Sequence, residues 1–135
     1  MKLFLPYKRA ALLIPSGPDD DPDRKHLFIL LSDPLNIESL QCNLLVPIST
    51  RDHLRMQDLT CELSKGDHDF IRHDSFVFYA KMRHEETSKL LKAVAQGTFI
   101  SHESLREDIF ARIVTGAITS KFTPLKYVHL LAPKS

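Results

Sequence analysis

Glycine is scarce in this chain, which has four glycines among its 135 residues. Loops that bind phosphate through backbone N–H groups need clustered glycines, and the sequence contains neither a GxxxxGKS/T loop nor a GxGxxG turn. It also lacks the GxSxG turn of serine hydrolases, the CxxC pairs of zinc sites and the HExxH pair of zinc proteases. We therefore expect none of these chemistries, no cofactor and no bound metal.

Cysteine is nearly absent as well. Cys42 and Cys61 both stand in apolar runs, so we expect two reduced, buried thiols in a cytoplasmic protein. No apolar run approaches the ~20 residues that span a bilayer, which predicts no membrane partner. Neither sign of charge dominates, because 18 Lys and Arg stand against 17 Asp and Glu. This balance argues against a large nucleic-acid interface but is compatible with a local patch for a short single strand.

Apolar runs are what the first part of the chain does contain. Three of them are typical of buried strands, at residues 10–15, 27–31 and 42–48. Residues 75–83 alternate between two sets of side chains, which predicts a further long strand. Such a strand would place Tyr79, Lys81 and Arg83 on one face.

From residue 85 the apolar residues recur at helical spacing. They predict one helix around Leu90 that ends near Gly97, and a second helix along Leu105–Ala117. Strands first and helices last indicate an α+β fold. We predict one domain over residues 1–135, with strands at about 10–83, a helical part at about 85–118 and an extended tail at 123–135.

Basic and hydroxyl side chains gather at the predicted strand ends. Cleaving RNA without a metal needs a base for the 2′-hydroxyl, an acid for the leaving oxygen, and cations or hydroxyls for the phosphorane-like transition state. These side chains could supply all three, and they could equally be ordinary polar strand ends. The candidates for contacting the substrate are Lys25, Arg51, His68, Arg72, His73, Tyr79 and Lys81.

Three stretches, in this order, resemble the MazF/PemK toxin family. They are RKHLFILLSDP at residues 24–34, LLVPIST at residues 44–50, and SHESL at residues 101–105, which would open the second helix. The resemblance implies a small SH3-like β-barrel with C-terminal helices. It also implies a homodimer that cuts single-stranded RNA without metal and is inhibited by an antitoxin protein.

The resemblance also suggests catalytic residues. The family's catalytic arginine maps to Arg24, or to Lys25 or His26 if the register slips, and its Thr/Ser maps to Ser49 or Thr50. With Arg83, the catalytic candidates are Arg24, His26, Ser49, Thr50 and Arg83. The alternative function is a non-catalytic SH3-like module that binds a protein partner or nucleic acid. Convergence of His26, Thr50 and one of the later cations would favour the nuclease.

The segment before Arg24 is acidic, with four aspartates at residues 19–23. It carries no pattern of a calcium loop, and we expect an exposed loop. Since it would lie beside the proposed cations, we predict that it partly masks them at low salt.

Overall fold

The computed structural model describes residues 4–17, 20–21, 24–51 and 57–131. These ranges form an antiparallel sheet with three α-helices, which confirms the α+β class. The strands are β1 (Ala11–Pro15), β2 (Lys25–Leu30), β3 (Leu35–Ile37), β4 (Leu40–Thr50), β5 (Glu62–Leu63), β6 (Ser75–Val77), β7 (Arg83–Glu86) and β8 (Ile100–His102). The helices are α1 (Thr87–Ala95), α2 (Glu107–Thr119) and α3 (Leu125–Leu131).

The strand order along the sheet is β5-β6-β4-β2-β1-β8, and β3 and β7 also pair with β4. The sheet is open, because β5 and β8 stand at its two ends and do not pair with each other in the described chain. The closed barrel expected from the sequence is therefore not formed by these strands. No helix in the described ranges has the length and apolar character that crossing a bilayer would require.

Both faces of the sheet are covered by apolar side chains. Leu27 and Ile29 of β2 belong to one core, with α2 and Tyr127 of α3, whereas Phe28 and Leu30 belong to another, with Leu90 of α1. This arrangement explains why the strands are continuous apolar runs rather than alternating ones, since both sides of each strand are buried. We call these the α2 face and the α1 face of the sheet.

The alternating segment 75–83 is not one strand, so the predicted shared face of Tyr79, Lys81 and Arg83 is wrong. Val77 of β6 pairs with Ile48, Arg83 of β7 pairs with Leu45, and a 3₁₀ turn at Tyr79–Lys81 lies between them. The physical cause lies in β4. The Phe78 N–H donates to the Pro47 carbonyl at 2.9 Å, but Pro47 has no N–H to return to the same neighbour.

The turn sends Tyr79 into the core instead of along the sheet surface. The side chain of Tyr79 is fully buried, and its hydroxyl donates to the Ile113 carbonyl of α2 at 2.6 Å. Burial raises the pKa of this phenol far above its usual range. The hydroxyl lies directly beneath Gly116, where any Cβ would collide with it.

Two further expectations for the C-terminal third need correction. The predicted helical part is interrupted by β8, which takes up the first two residues of SHESL, and α2 begins only at Glu107. The predicted extended tail is a helix as far as it is described, because the Pro124 carbonyl accepts from Tyr127 and Val128 and so starts α3. Residues 132–135 lie outside the described ranges. The expected end of α1 is confirmed, with Gly97 at a φ of +79°.

The contact between Gly116 and Tyr79 gives a stability prediction. We expect Gly116→Ala to lower the free energy of unfolding by about 2 kcal/mol, because the core must move to admit the methyl group. In a Tyr79→Phe background, which removes the colliding hydroxyl, Gly116→Ala should lower the free energy of unfolding by a smaller amount. Chemical denaturation of the four proteins in this cycle measures the difference. Thr115→Ala on the exposed side of α2 is the control, and strictly additive losses would contradict the collision.

Candidate functional site

Several predicted residues lie at the end of the sheet where β2 begins and β4 finishes. His26 pairs with Ile14 of β1, and Phe28 pairs with Pro47 of β4. The β2–β4 pairing ends at Phe28 and Pro47, so His26 and Ser49 each lie two residues beyond its last pair. Both alternate with residues of the α1 face, so they project from the same side of the sheet. Their side chains are half-buried, and the preceding Arg24 is exposed.

His26 is held by a residue that the sequence did not single out. Its Nδ1 lies 2.8 Å from the Ser16 hydroxyl, which in turn lies 3.2 Å from the Ile14 carbonyl. When the hydroxyl donates to that carbonyl, Nδ1–H donates to the hydroxyl, and Nε2 of His26 is left as an acceptor. Nε2 has no hydrogen-bond partner within the described chain. Ser16 thus orients the imidazole as a potential base.

The charge state of His26 suits that role. Burial, and secondly the Arg24 guanidinium, lower the pKa of His26 below its ordinary value of 6.5. The ring is therefore neutral near pH 7 and able to accept a proton. Its positive neighbour also places a cation beside the imidazole.

Arg83 reaches the same region from the other side of β4. Its guanidinium carbon lies 4.7 Å from the centroid of the Phe28 ring, which follows His26 by two residues on the same side of β2. Residues at that spacing in a strand have Cα atoms about 7 Å apart. The Arg83 side chain is 39% exposed, and its Nε stands 3.6 Å from the Glu85 carboxylate. Stacking on Phe28 therefore holds a partly exposed cation on the His26 side of the sheet.

Other predicted residues lie elsewhere. Thr50 and Lys25 project from the opposite side of the sheet to their neighbours Ser49 and His26, because side chains alternate along a strand. Thr50 therefore does not join His26, contrary to the convergence that the nuclease prediction requires. Arg51 lies on the side of Ser49, but its guanidinium donates to the Glu62 carboxylate at 2.8 Å.

The remaining candidates are buried or lie outside strands β2 and β4. His68 is buried, and its Nε2–H donates to the Glu103 carbonyl at 2.6 Å while Nδ1 accepts from the Phe70 N–H. Both ring nitrogens of His68 are thus engaged in holding a loop. Tyr79 is a core residue, as described above. The others are exposed beyond the two ends of β6: Arg72, His73 and Lys81.

The site lies at the protein surface, where Arg24 is exposed and His26 and Ser49 are half-buried. Two surface grooves of about 370 and 360 Å³ lie elsewhere, one along α2 beside Cys61 and one between Phe4 and β8. Neither groove is lined by Ser16, His26 or the candidate cations. An open strip of sheet suits an extended chain better than a small molecule.

Other chemistries find less support in the described residues. Cys42 and Cys61 are free and buried, as expected, and burial raises the pKa of both thiols, which disfavours the reactive thiolate. Among the residues that the structure describes, no three His, Cys, Asp or Glu side chains converge as a metal site would require. The acidic segment 19–23 is described only at Asp20 and Asp21, which are exposed, and the rest of it lies outside the described ranges.

Comparisons with known protein families, with curated proteins and with solved structures find no match to this chain. Its function must therefore be argued from the residues and their geometry.

The His26 environment predicts a titration that can be measured directly. In the folded protein the imidazole should titrate below 6.5, and Arg24→Gln should raise its pKa part of the way back, because removing a nearby positive charge favours the imidazolium. The shift should be incomplete, since burial is the larger cause. Histidine NMR titration measures it. Lys25→Gln is the matched control and should leave the pKa in place; an equal effect of both variants would refute a specific Arg24 contact.

Proposed function

We propose that this chain is a metal-independent endoribonuclease that cleaves single-stranded RNA, acting as the toxin of a toxin–antitoxin system of the MazF/PemK kind. The observation that carries the proposal is the orientation of His26. Its Nδ1 is bound by Ser16 at 2.8 Å, so that Nε2 faces outward as a neutral base beside Arg24.

The chemistry needs few further parts. Nε2 of His26 takes the proton of a ribose 2′-hydroxyl, and the 2′-oxygen attacks the adjacent phosphorus. The bond to the 5′-oxygen breaks, and water, which reaches this open surface, protonates the leaving oxygen. The products are a 2′,3′-cyclic phosphate and a 5′-hydroxyl. Arg24 and Arg83 stabilise the charge on the phosphoryl oxygens, and the Ser49 hydroxyl is available as a further donor.

The substrate class follows from the shape and charge of this strip. Two guanidinium groups beside one imidazole suit a single phosphodiester and its neighbour, which fits the small net charge of the chain. A duplex would need a longer basic track, whereas a splayed single strand can lie along an open sheet surface.

The family-level proposal extends to the architecture and the partners. The stretch LLVPIST forms the end of β4 and lies beside the strand that carries His26, which matches the order of motifs that suggested the family. We propose that the open sheet is a variant of an SH3-like barrel, and that the protein acts as a cytoplasmic homodimer inhibited by an antitoxin protein.

A non-catalytic module is the second candidate, and one observation favours it. Glu62 and Glu85 lie on the same side of the sheet as His26 and approach Arg51 and Arg83 at 2.8 and 3.6 Å. These carboxylates weaken the attraction for phosphate. A module with such a surface would bind a protein partner or nucleic acid without cleaving it.

Incubation of the pure protein with a mixed RNA pool in EDTA separates the two functions. We expect cleavage that leaves 2′,3′-cyclic phosphate ends, and His26→Gln should slow it by about 100- to 10,000-fold because the base is lost. His73→Gln, at an exposed histidine away from the site, is the control and should cleave at the wild-type rate. Binding without cleavage would support the module, and cleavage that requires added magnesium would overturn the metal-independent mechanism.

Arg83 provides a test of the second cation. Arg83→Gln should slow cleavage by roughly 10- to 100-fold, since transition-state charge loses one donor. The melting temperature should fall by only a few degrees, because the side chain is partly exposed and its stacking on Phe28 is worth about 1 kcal/mol. Arg72→Gln, at an exposed arginine outside the strands of the site, should change neither quantity. A variant that is unstable yet cleaves normally when folded would make Arg83 structural.

A further inference from the structure

Two phenylalanine rings lie on the same side of the sheet as the candidate site and have no role in the mechanism above. Phe76 of β6 pairs with Ser49, and the ring centroids of Phe76 and Phe78 are 5.3 Å apart with a tilt of 44° between the planes. Phe78 lies opposite Pro47, because its N–H donates to the Pro47 carbonyl at 2.9 Å. Pro47 and Ser49 alternate with the residues of β4 that belong to the α2 face, so both rings project from the α1 face.

Pro47 connects these rings to the residues of the candidate site. On its other edge it pairs with Phe28, so that Phe78, Pro47 and Phe28 form one row across three neighbouring segments of the chain. Neighbouring strands lie about 4.8 Å apart, which separates the backbones of Phe78 and Phe28 by roughly 10 Å. The Arg83 guanidinium lies over the Phe28 ring, and His26 precedes Phe28 by two residues. The row therefore runs from the candidate site to Phe78.

The three rings differ in how far a ligand can reach them. Phe28 and Phe76 are each 3% exposed, whereas Phe78 is only half-buried. Within the part of the chain that the structure describes, neither Phe76 nor Phe78 belongs to the core of the α1 face or of the α2 face. Phe76 thus packs against a partly exposed ring that neither of these cores contains.

The charges along the row suit a nucleic-acid strand. The cation of Arg83 lies over Phe28, at one end of the row. Glu62 pairs with Phe76, but its carboxylate accepts from Arg51 at 2.8 Å, so its charge is balanced there. Proteins that bind single strands combine aromatic rings, on which bases stack, with cations that follow the phosphates. An apolar peptide could use the ring of Phe78 but would leave the cation of Arg83 without a partner.

We propose that Phe78 is a stacking platform for one base of the RNA strand whose scissile phosphate lies at His26. The base lies on the exposed part of the Phe78 ring, and the strand crosses Pro47 and Phe28 on its way to the imidazole. This inference rests on the proposed ribonuclease function and adds a substrate-binding residue that does not touch the reacting atoms. Every base has a π-face, so the platform adds affinity with little sequence preference. A base that is paired in a duplex cannot reach the ring, which favours single strands.

Binding of uncleavable oligonucleotides tests the platform separately from catalysis. The ligands are short 2′-O-methyl RNAs of mixed sequence, which lack the attacking 2′-hydroxyl, and a set of the same RNAs with a single abasic position moved along the strand. With the wild-type protein, one abasic position should weaken binding about tenfold, because the stacked base is lost. Phe78→Leu keeps an apolar side chain without a ring. It should weaken binding of the intact ligand about tenfold and remove that abasic penalty, whereas Phe78→Tyr should keep both at the wild-type level.

Phe122 provides the matched control. It is 43% exposed and has Nζ of Lys121 5.2 Å from its ring centroid, so it is also a ring beside a cation, but it lies in the turn between α2 and α3. Phe122→Leu should bind every ligand as the wild type does. An abasic penalty that persists in Phe78→Leu, or an equal loss in Phe122→Leu, would overturn the platform.

Cleavage of the ribose form of the same oligonucleotide separates the platform from the ribonuclease. Phe78→Leu should raise KM while kcat changes much less, because the ring binds the substrate and its transition state alike. Cleavage by the wild type without any Phe78-dependent abasic penalty would overturn the platform and leave the ribonuclease standing. A Phe78-dependent penalty without cleavage would contradict the ribonuclease alone, and no binding of any ligand by the wild type would overturn both.

Discussion

The missing N–H of Pro47 is the constraint on which the geometry of the sheet depends. Strand β4 pairs with β2, β3, β6 and β7, so an interruption on one of its edges affects the strands that follow in the chain. At Pro47 the neighbouring strand stops and makes a 3₁₀ turn before it resumes as β7. The turn sends Tyr79 inward against α2, and it lets Arg83 restart opposite Leu45, from where its side chain reaches Phe28.

The same break explains which parts of the fold could be predicted from the sequence. The long apolar runs around Leu12, Ile29 and Val46 predict buried strands because both of their faces are covered, and no local feature competes with that pattern. The alternation of residues 75–83 looks like a strand and fails, because a residue some 30 positions earlier removes a donor. The strand β8 has three residues and no apolar pattern, so it exists only through its pairing with β1.

Only part of the candidate site could be predicted from the sequence. His26 and Ser49 lie near strand ends that the sequence already predicted, each two residues beyond the last β2–β4 pair. Arg83 lies near them for another reason than the one expected, since stacking on Phe28 rather than a shared strand face holds it there. The role of Ser16 could not be predicted from the sequence, because it depends on a hydrogen bond between residues at the two ends of the β1–β2 connection. His68 and Tyr79 carry groups that could act in catalysis, but both side chains are buried and their polar atoms form hydrogen bonds within the fold.

The two faces of the sheet are covered by different helices. His26, Ser49 and Arg83 project on the α1 face, whereas α3 packs through Tyr127 against the core of the α2 face. Glu62 and Glu85 lie on the same side of the sheet as His26 and approach Arg51 and Arg83, so part of the positive charge of the candidate site is balanced locally.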